Sequence, residues 1–184
     1  MQSILPFDEL NSFEASLRER FADGKLAKED EEDIIDEMLD LFLLAYAMGN
    51  SVTNENLSSD YAPSVDDEMK VVDAKVAGKT WRERAEEYFA NGGSVDDIVR
   101  IAMTESHRDS NAASYEAAKA AGAPEKVWHC MMLPTSRDTH IYLDGVSAPI
   151  DGEFYSFRGG KTMFPGEWGI AEEDCNCLCW LTYR

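Results

Sequence analysis

The feature that most constrains this chain is a change of texture at Gly122 and Pro124. Ahead of them, apolar residues recur at spacings of three and four, the signature of amphipathic helices. Beyond them, short apolar runs alternate with turn dipeptides, the signature of brief antiparallel strands. The expected fold class is therefore α+β. It has a helical N-terminal two-thirds followed by a small antiparallel β-rich C-terminal unit. At 184 residues the chain is long enough for a real core.

In the helical part, Ser12, Phe13 and Ala15 to Phe21 predict a first helix ending near Gly24. The acidic block Glu29 to Asp33 suits the positive end of a helix dipole and precedes Ile34, Ile35, Met38, Leu39, Phe42 and Ala45. From Leu41 to Met48 apolar residues run right round the helix, so contact on more than one side is expected. Gly49-Asn50 reads as its stop and residues 50–66 as a linker. That divides the chain into an acidic helical region, 1–78, and a second unit, 79–184, with helices over 79–122 and β structure over 123–184. Thr80-Trp81-Arg82-Glu83 is a capping box, Asn91-Gly92-Gly93 a stop, and Ser94 the cap of a long helix reaching Ala121. A polar insertion, Thr104 to Asn111, interrupts that helix's apolar stripe. It sets Glu105, Arg108 and Asn111 at spacings of three, where their side chains can interact. Strands are expected at Val127–Leu133, Ile141–Leu143, Val146–Ile150, Phe154–Phe157 and Leu178–Tyr183, with Glu172-Glu173-Asp174 in a loop.

Charge and cysteine usage narrow the function. Asp and Glu number 36 against 17 Lys and Arg, a formal charge of −19, which repels a phosphate backbone. The isolated chain is not expected to bind duplex DNA. Its longest apolar run falls far short of the roughly 20 residues that span a bilayer, and the N-terminus lacks a signal-peptide pattern. No membrane is expected, and the chain reads as cytosolic. Four cysteines are too few for a disulfide-built scaffold, and three of them, Cys175, Cys177 and Cys179, lie within five residues. Reduced thiols or metal ligands are the better readings.

The C-terminal unit carries the dense constellation. Thr104-Glu105-Ser106-His107-Arg108 with Asn111 comes first, then Lys126-Val127-Trp128 and Arg137-Asp138-Thr139-His140. Leu143-Asp144-Gly145, Phe154, Gly159-Gly160, Pro165-Gly166 and Asn176-Cys177-Leu178-Cys179 complete the order. In this order the residues resemble the Mu F-like phage head morphogenesis family, the minor head or minor capsid proteins, over about residues 79–184. Two positions depart from the family pattern. The stretch Met132 to Ser136 lacks the usual Asp, and Leu178 stands where an Arg is usual between the terminal cysteines.

The resemblance implies a structural minor head protein of a tailed phage or prophage. Such a protein joins the portal, major capsid or scaffold protein during assembly in the host cytoplasm, serves DNA packaging and stays in the virion. The competing classes are a toxin-like nuclease or transferase and a zinc-stabilised adaptor. Chemically, Cys177 and Cys179 with His140 admit a zinc tetrahedron, with Cys175, Cys130 or His129 as fourth ligand. They also admit a cysteine nucleophile with His140 as base, and Arg137 with His140 admits phosphate chemistry. The expectation is plainer. Arg137, Asp138 and His140 form a hydrogen-bonded corner that pins the β turns, with Glu105, Arg108 or Asn111 as helical partners. No catalytic residue and no cofactor is expected. Cys177 and Cys179 are expected reduced and packed near His140, with a bend near Asn176 needed before any metal could be held.

Overall fold

The computed structural model describes residues 5–22 and 28–184. Helix α1 (Phe7–Arg20) buries Leu10, Phe13 and Leu17 along one face, as their spacing dictates. Its expected stop near Gly24 lies outside the described residues. A 3-10 turn at Lys28–Asp30 leads into α2 (Glu31–Leu57), whose first turn carries Glu31, Glu32 and Asp33. This helix of 27 residues extends about 40 Å.

Gly49-Asn50 is not a stop: the helix runs through residues 50–57, and residues 58–64 connect it to the next helix. The helix continues to Leu57 because of what it packs against. A Cβ at Gly49 would lie 2.1 Å from the backbone carbonyl oxygen of Ser110, so the glycine permits close approach of α2 to α5 (Val95–Ala120). One turn on, Thr53 and Ser114 hydroxyls pair at 2.6 Å across the same interface, and the Asn54 side chain donates to the Tyr61 carbonyl. Helix α2 ends where Ser58 turns left-handed, its N–H returning to the carbonyls of Asn54 and Glu55. Helix α3 (Val65–Val72), capped by the Ser64 hydroxyl, then packs on α2 and α5.

Helices α4 (Trp81–Ala90) and α5 both begin with complete capping boxes, Thr80 with Glu83 and Ser94 with Asp97. Together α1 to α5 enclose an apolar core in which the Phe42 and Trp81 rings meet edge to face at 4.9 Å.

Beyond α5, strand β1 (Glu125–His129) is the centre of a three-stranded antiparallel sheet, flanked by β2 (Ser147–Pro149) and β5 (Trp180–Tyr183). Val127 faces Ser147 on one side and Thr182 on the other. Strands β3 (Phe154–Tyr155) and β4 (Lys161–Thr162) form a separate hairpin. Several expected strands are corrected here. Ile141–Leu143 belongs to helix α6 (Asp138–Leu143), whose buried residues Thr139, His140 and Leu143 follow helical spacing. The first strand stops at His129, after which Met131, Met132 and Leu133 are exposed. The last begins at Trp180 rather than Leu178, and the acidic triplet is helical, in α7 (Ala171–Asp174). Trp128 anchors this second core, its ring 5.2 Å from Phe154 and 5.8 Å from Trp168. Among the described residues no helix is long and apolar enough to cross a membrane.

Candidate functional site

The polar insertion of α5 lies between the two cores, and its residues from Glu105 to Ser114 are all buried. A buried charge needs partners, and Arg108 has a full set. Its guanidinium donates to the carbonyls of Val71 (2.9 Å), Val72 (3.0 Å) and Ala74 (3.2 Å), the last carbonyls of α3 and its exit. It also pairs with Asp109 at 2.6 Å and Glu105 at 2.8 Å. Glu105 is held in turn by Arg84 of α4. One side chain of α5 thus ties α3 and α4 into place, with its positive charge at the negative end of α3. Burial pushes the Asp109 carboxyl up to about 7, against the pull of Arg108 beside it. Gly166 sits across from this residue. A Cβ there would come within 3.0 Å of the Arg108 Cα, and its φ of +93° is a glycine conformation.

Asn111 is near, but it serves a different partner. Its side-chain amide donates to the carbonyls of His107 (3.0 Å) and Cys179 (3.2 Å). His107 Nε2 lies 2.6 Å from the same Cys179 carbonyl, so that nitrogen carries the proton and donates. Burial lowers the His107 pKa and keeps the ring neutral. Helix α5 therefore grips the cysteine segment through its backbone.

The thiols converge on His140. Its Nδ1 lies 3.5 Å from Cys177 Sγ and 3.4 Å from Cys179 Sγ, and all three residues are buried. On its other side, Nε2 is 3.2 Å from Glu173 Oε2. Glu173 also accepts from the hydroxyls of Thr139 (2.8 Å) and Ser156 (3.0 Å), so α7 holds both α6 and the β3–β4 hairpin. The rings of Trp128 and Trp168 close over His140. Asn176, at φ +55°, bends the segment, and the Cys179 N–H donates to Cys177 Sγ at 3.5 Å. A hydrogen bond from the Cys179 thiol, with His140 adding to it, draws the Cys177 pKa down, while Cys179 is driven up in return. Nearby, Asp174 accepts from the N–H groups of Trp168 and Ile170, and burial raises its carboxyl to about 6.

The expected residues thus divide into separate groups. Glu105 and Arg108 sit together, His140 gathers Cys177 and Cys179, and Asn111 joins the second group by way of the backbone. Arg137 donates to the carbonyl of Cys175, whose thiol is outside the cluster. Asp138 is exposed in the first turn of α6, apart from both groups. His129, offered as a fourth ligand, instead stacks on Trp180 and meets the Thr182 hydroxyl at 2.8 Å. Sequence reasoning assigned no role to His107, Glu173, Asp174, Thr139 or Ser156. The one-turn spacing of His107 and Asn111 is a signal that could have marked the first. For Glu173 the only trace is its place just ahead of the cysteines.

Known proteins resemble this chain in sequence. A family model described as Phage Mu protein F like protein matches residues 58–182. Minor head protein GP7 of Bacillus phage SPP1 is 35% identical over 85 residues, 45% of this chain and 28% of that protein. An NAD(+)–arginine ADP-ribosyltransferase, EFV, of Enterococcus faecalis (strain ATCC 700802 / V583) is 37% identical over 90 residues, 47% of this chain and 18% of that protein. The matched segments are thus less than a third of either relative's length. No solved structure matches the chain.

Proposed function

The chain belongs to the Phage Mu protein F like family, and from that premise we propose that it is a structural minor head protein of a tailed phage or prophage. In this role it joins the assembling capsid through the portal protein, serves DNA packaging and remains in the virion. The observation that carries the reading is the family match over residues 58–182, which runs from the end of α2 into β5. The relative named as a minor head protein points the same way.

The chemistry of the buried groups supports a structural role. Arg108 spends its donors on backbone carbonyls and carboxylates inside the fold. Glu173 likewise accepts from Thr139 and Ser156 inside the fold. The surface offers contact features instead. Tyr142 and Phe157 meet edge to face at 6.0 Å while both are largely exposed, and Met131, Met132 and Leu133 are exposed as well. The acid-rich helices α1 and α2 offer a complementary surface for a basic partner.

Co-expression with the portal protein of the same phage genome should yield a complex that co-purifies. Two separate elution peaks at micromolar concentration and low salt would count against this reading, as would absence of the chain from purified particles by mass spectrometry. The second reading, ADP-ribosyl transfer, has one observation behind it, the name of the second relative. Incubation with NAD and arginine would expose it through release of nicotinamide. On the head-protein reading none is released.

A further inference from the structure

We propose that His140, Cys177 and Cys179 form a zinc site, oriented by Glu173, that locks the C-terminal unit. The ligand atoms of the three buried residues lie within 4.8 Å of one another. A tetrahedral zinc, with Zn–S near 2.3 Å and Zn–N near 2.05 Å, sets sulfur and nitrogen about 3.5 Å apart along an edge. The observed Nδ1–Sγ separations of 3.4 and 3.5 Å match that edge.

Proton accounting points the same way. With Nε2 lying 3.2 Å from the Glu173 carboxylate, Nδ1 is the nitrogen turned to the sulfurs. That nitrogen has a single lone pair, yet two sulfurs face it. One S–H can donate to it, so the two sulfurs cannot both donate there at once. A cation placed among the three groups uses the lone pair and both sulfurs at once. Zinc binding as Zn²⁺ displaces the two thiol protons to solvent, and no electron is transferred.

The surroundings are those of a metal site. A carboxylate on the far nitrogen of a ligating histidine fixes its tautomer and raises its basicity. Here Glu173 has that place and is fixed by two hydroxyls. The Cys179 N–H donating to Cys177 Sγ stabilises negative charge on sulfur. The left-handed Asn176 supplies the bend that lets residues two apart share one centre. Beside the three groups lies a cavity of about 30 Å³ lined by Cys130, Arg137, His140 and Cys179, with room for one water as the fourth ligand. The sequence alone favoured bare thiols packed near His140, and the zinc proposal goes beyond that expectation.

The test uses the full, untagged chain purified without chelator. Elemental analysis should find one zinc per chain, and replacement by Co²⁺ should give the absorption of a tetrahedral, thiolate-bound ion. The Cys177→Ser/Cys179→Ser variant should lose both, while Cys175→Ser keeps them. The wild-type chain decides first, so the test does not depend on the double variant folding. Zinc below about a tenth of an equivalent together with no tetrahedral cobalt spectrum overturns the site. So does full metal content in a folded double variant.

Discussion

The helical body and the C-terminal unit solve the same problem in different ways. The body buries aliphatic and aromatic side chains from five helices, of which α3, α4 and α5 begin with side-chain caps. The C-terminal unit has strands of two to five residues and a core of tryptophans and cysteines threaded by buried polar groups. Short strands give few ladder bonds, so the unit depends on named contacts such as Glu173 with Thr139, Ser156 and His140. Volume governs the first region and specific bonding the second. Helix α5 serves both.

The largest test of that contrast is at the junction. Arg108→Met removes the cation that, among the described residues, is bonded to Asp109 and leaves that carboxylate buried, so a loss of about 3–5 kcal/mol is expected in chemical denaturation. A loss under about 1 kcal/mol would show that the junction is not the seam described here.

Within the body, Gly49→Ala separates packing from propensity. Alanine in a helix interior gains about 1 kcal/mol over glycine, yet the added Cβ meets the backbone of Ser110. A net loss of about 1–3 kcal/mol is expected. A gain would mean that α2 and α5 can part at little cost.

In the C-terminal unit, His140→Ala should cost about 1–3 kcal/mol in metal-free protein, by leaving Glu173 short of a partner. An unchanged melting temperature with lost biological activity would point instead to chemistry at His140.

The smallest effect is in pH, where both regions contribute. An acid raised in the folded state penalises folding when ionised. That penalty is full above the folded pKa and is relieved as pH falls through it. Asp109, at about 7 in the body, and Asp174, at about 6 in the C-terminal unit, both act in this sense. The lowered His107 acts in the opposite sense, since below about pH 6.5 the unfolded chain takes up a proton that the buried ring refuses. Melting temperature should therefore rise by a few degrees from about pH 8 to about pH 6.5, and below that the proton taken up by His107 in the unfolded chain offsets one of the two acids, so the rise becomes shallower. Asp109→Asn should flatten the rise. A curve that climbs steadily with pH across this range would reverse the assignment.

Much of the body was legible in the sequence because its signals are local. The capping boxes at Thr80 and Ser94, the breakers at Gly122 and Pro124 and the apolar spacing of α2 each act within a few residues. The error at Gly49 has the opposite origin. Its meaning depends on Ser110, some sixty residues away, and a glycine that admits a neighbouring helix reads the same as one that ends its own. In the C-terminal unit the change to β texture was visible, but Ile141–Leu143 was too short a run to tell a strand from a helical turn. Within the site, His140 and the two cysteines stood out by residue type. Glu173 did not, because an acid gains its role from what surrounds it, and nothing nearby in the chain marks those surroundings.

Helix α5 contributes to the helical core and packs against β5 along an unbroken run of 26 residues, and this has a mechanical consequence. A tug applied at α1 or α2 reaches the sheet through a stiff rod about 39 Å long, with no hinge in which the strain could dissipate. The backbone amides midway along that rod, shielded on every side, should be the last in the molecule to exchange with deuterated solvent. Neither half can slacken while the other stays taut.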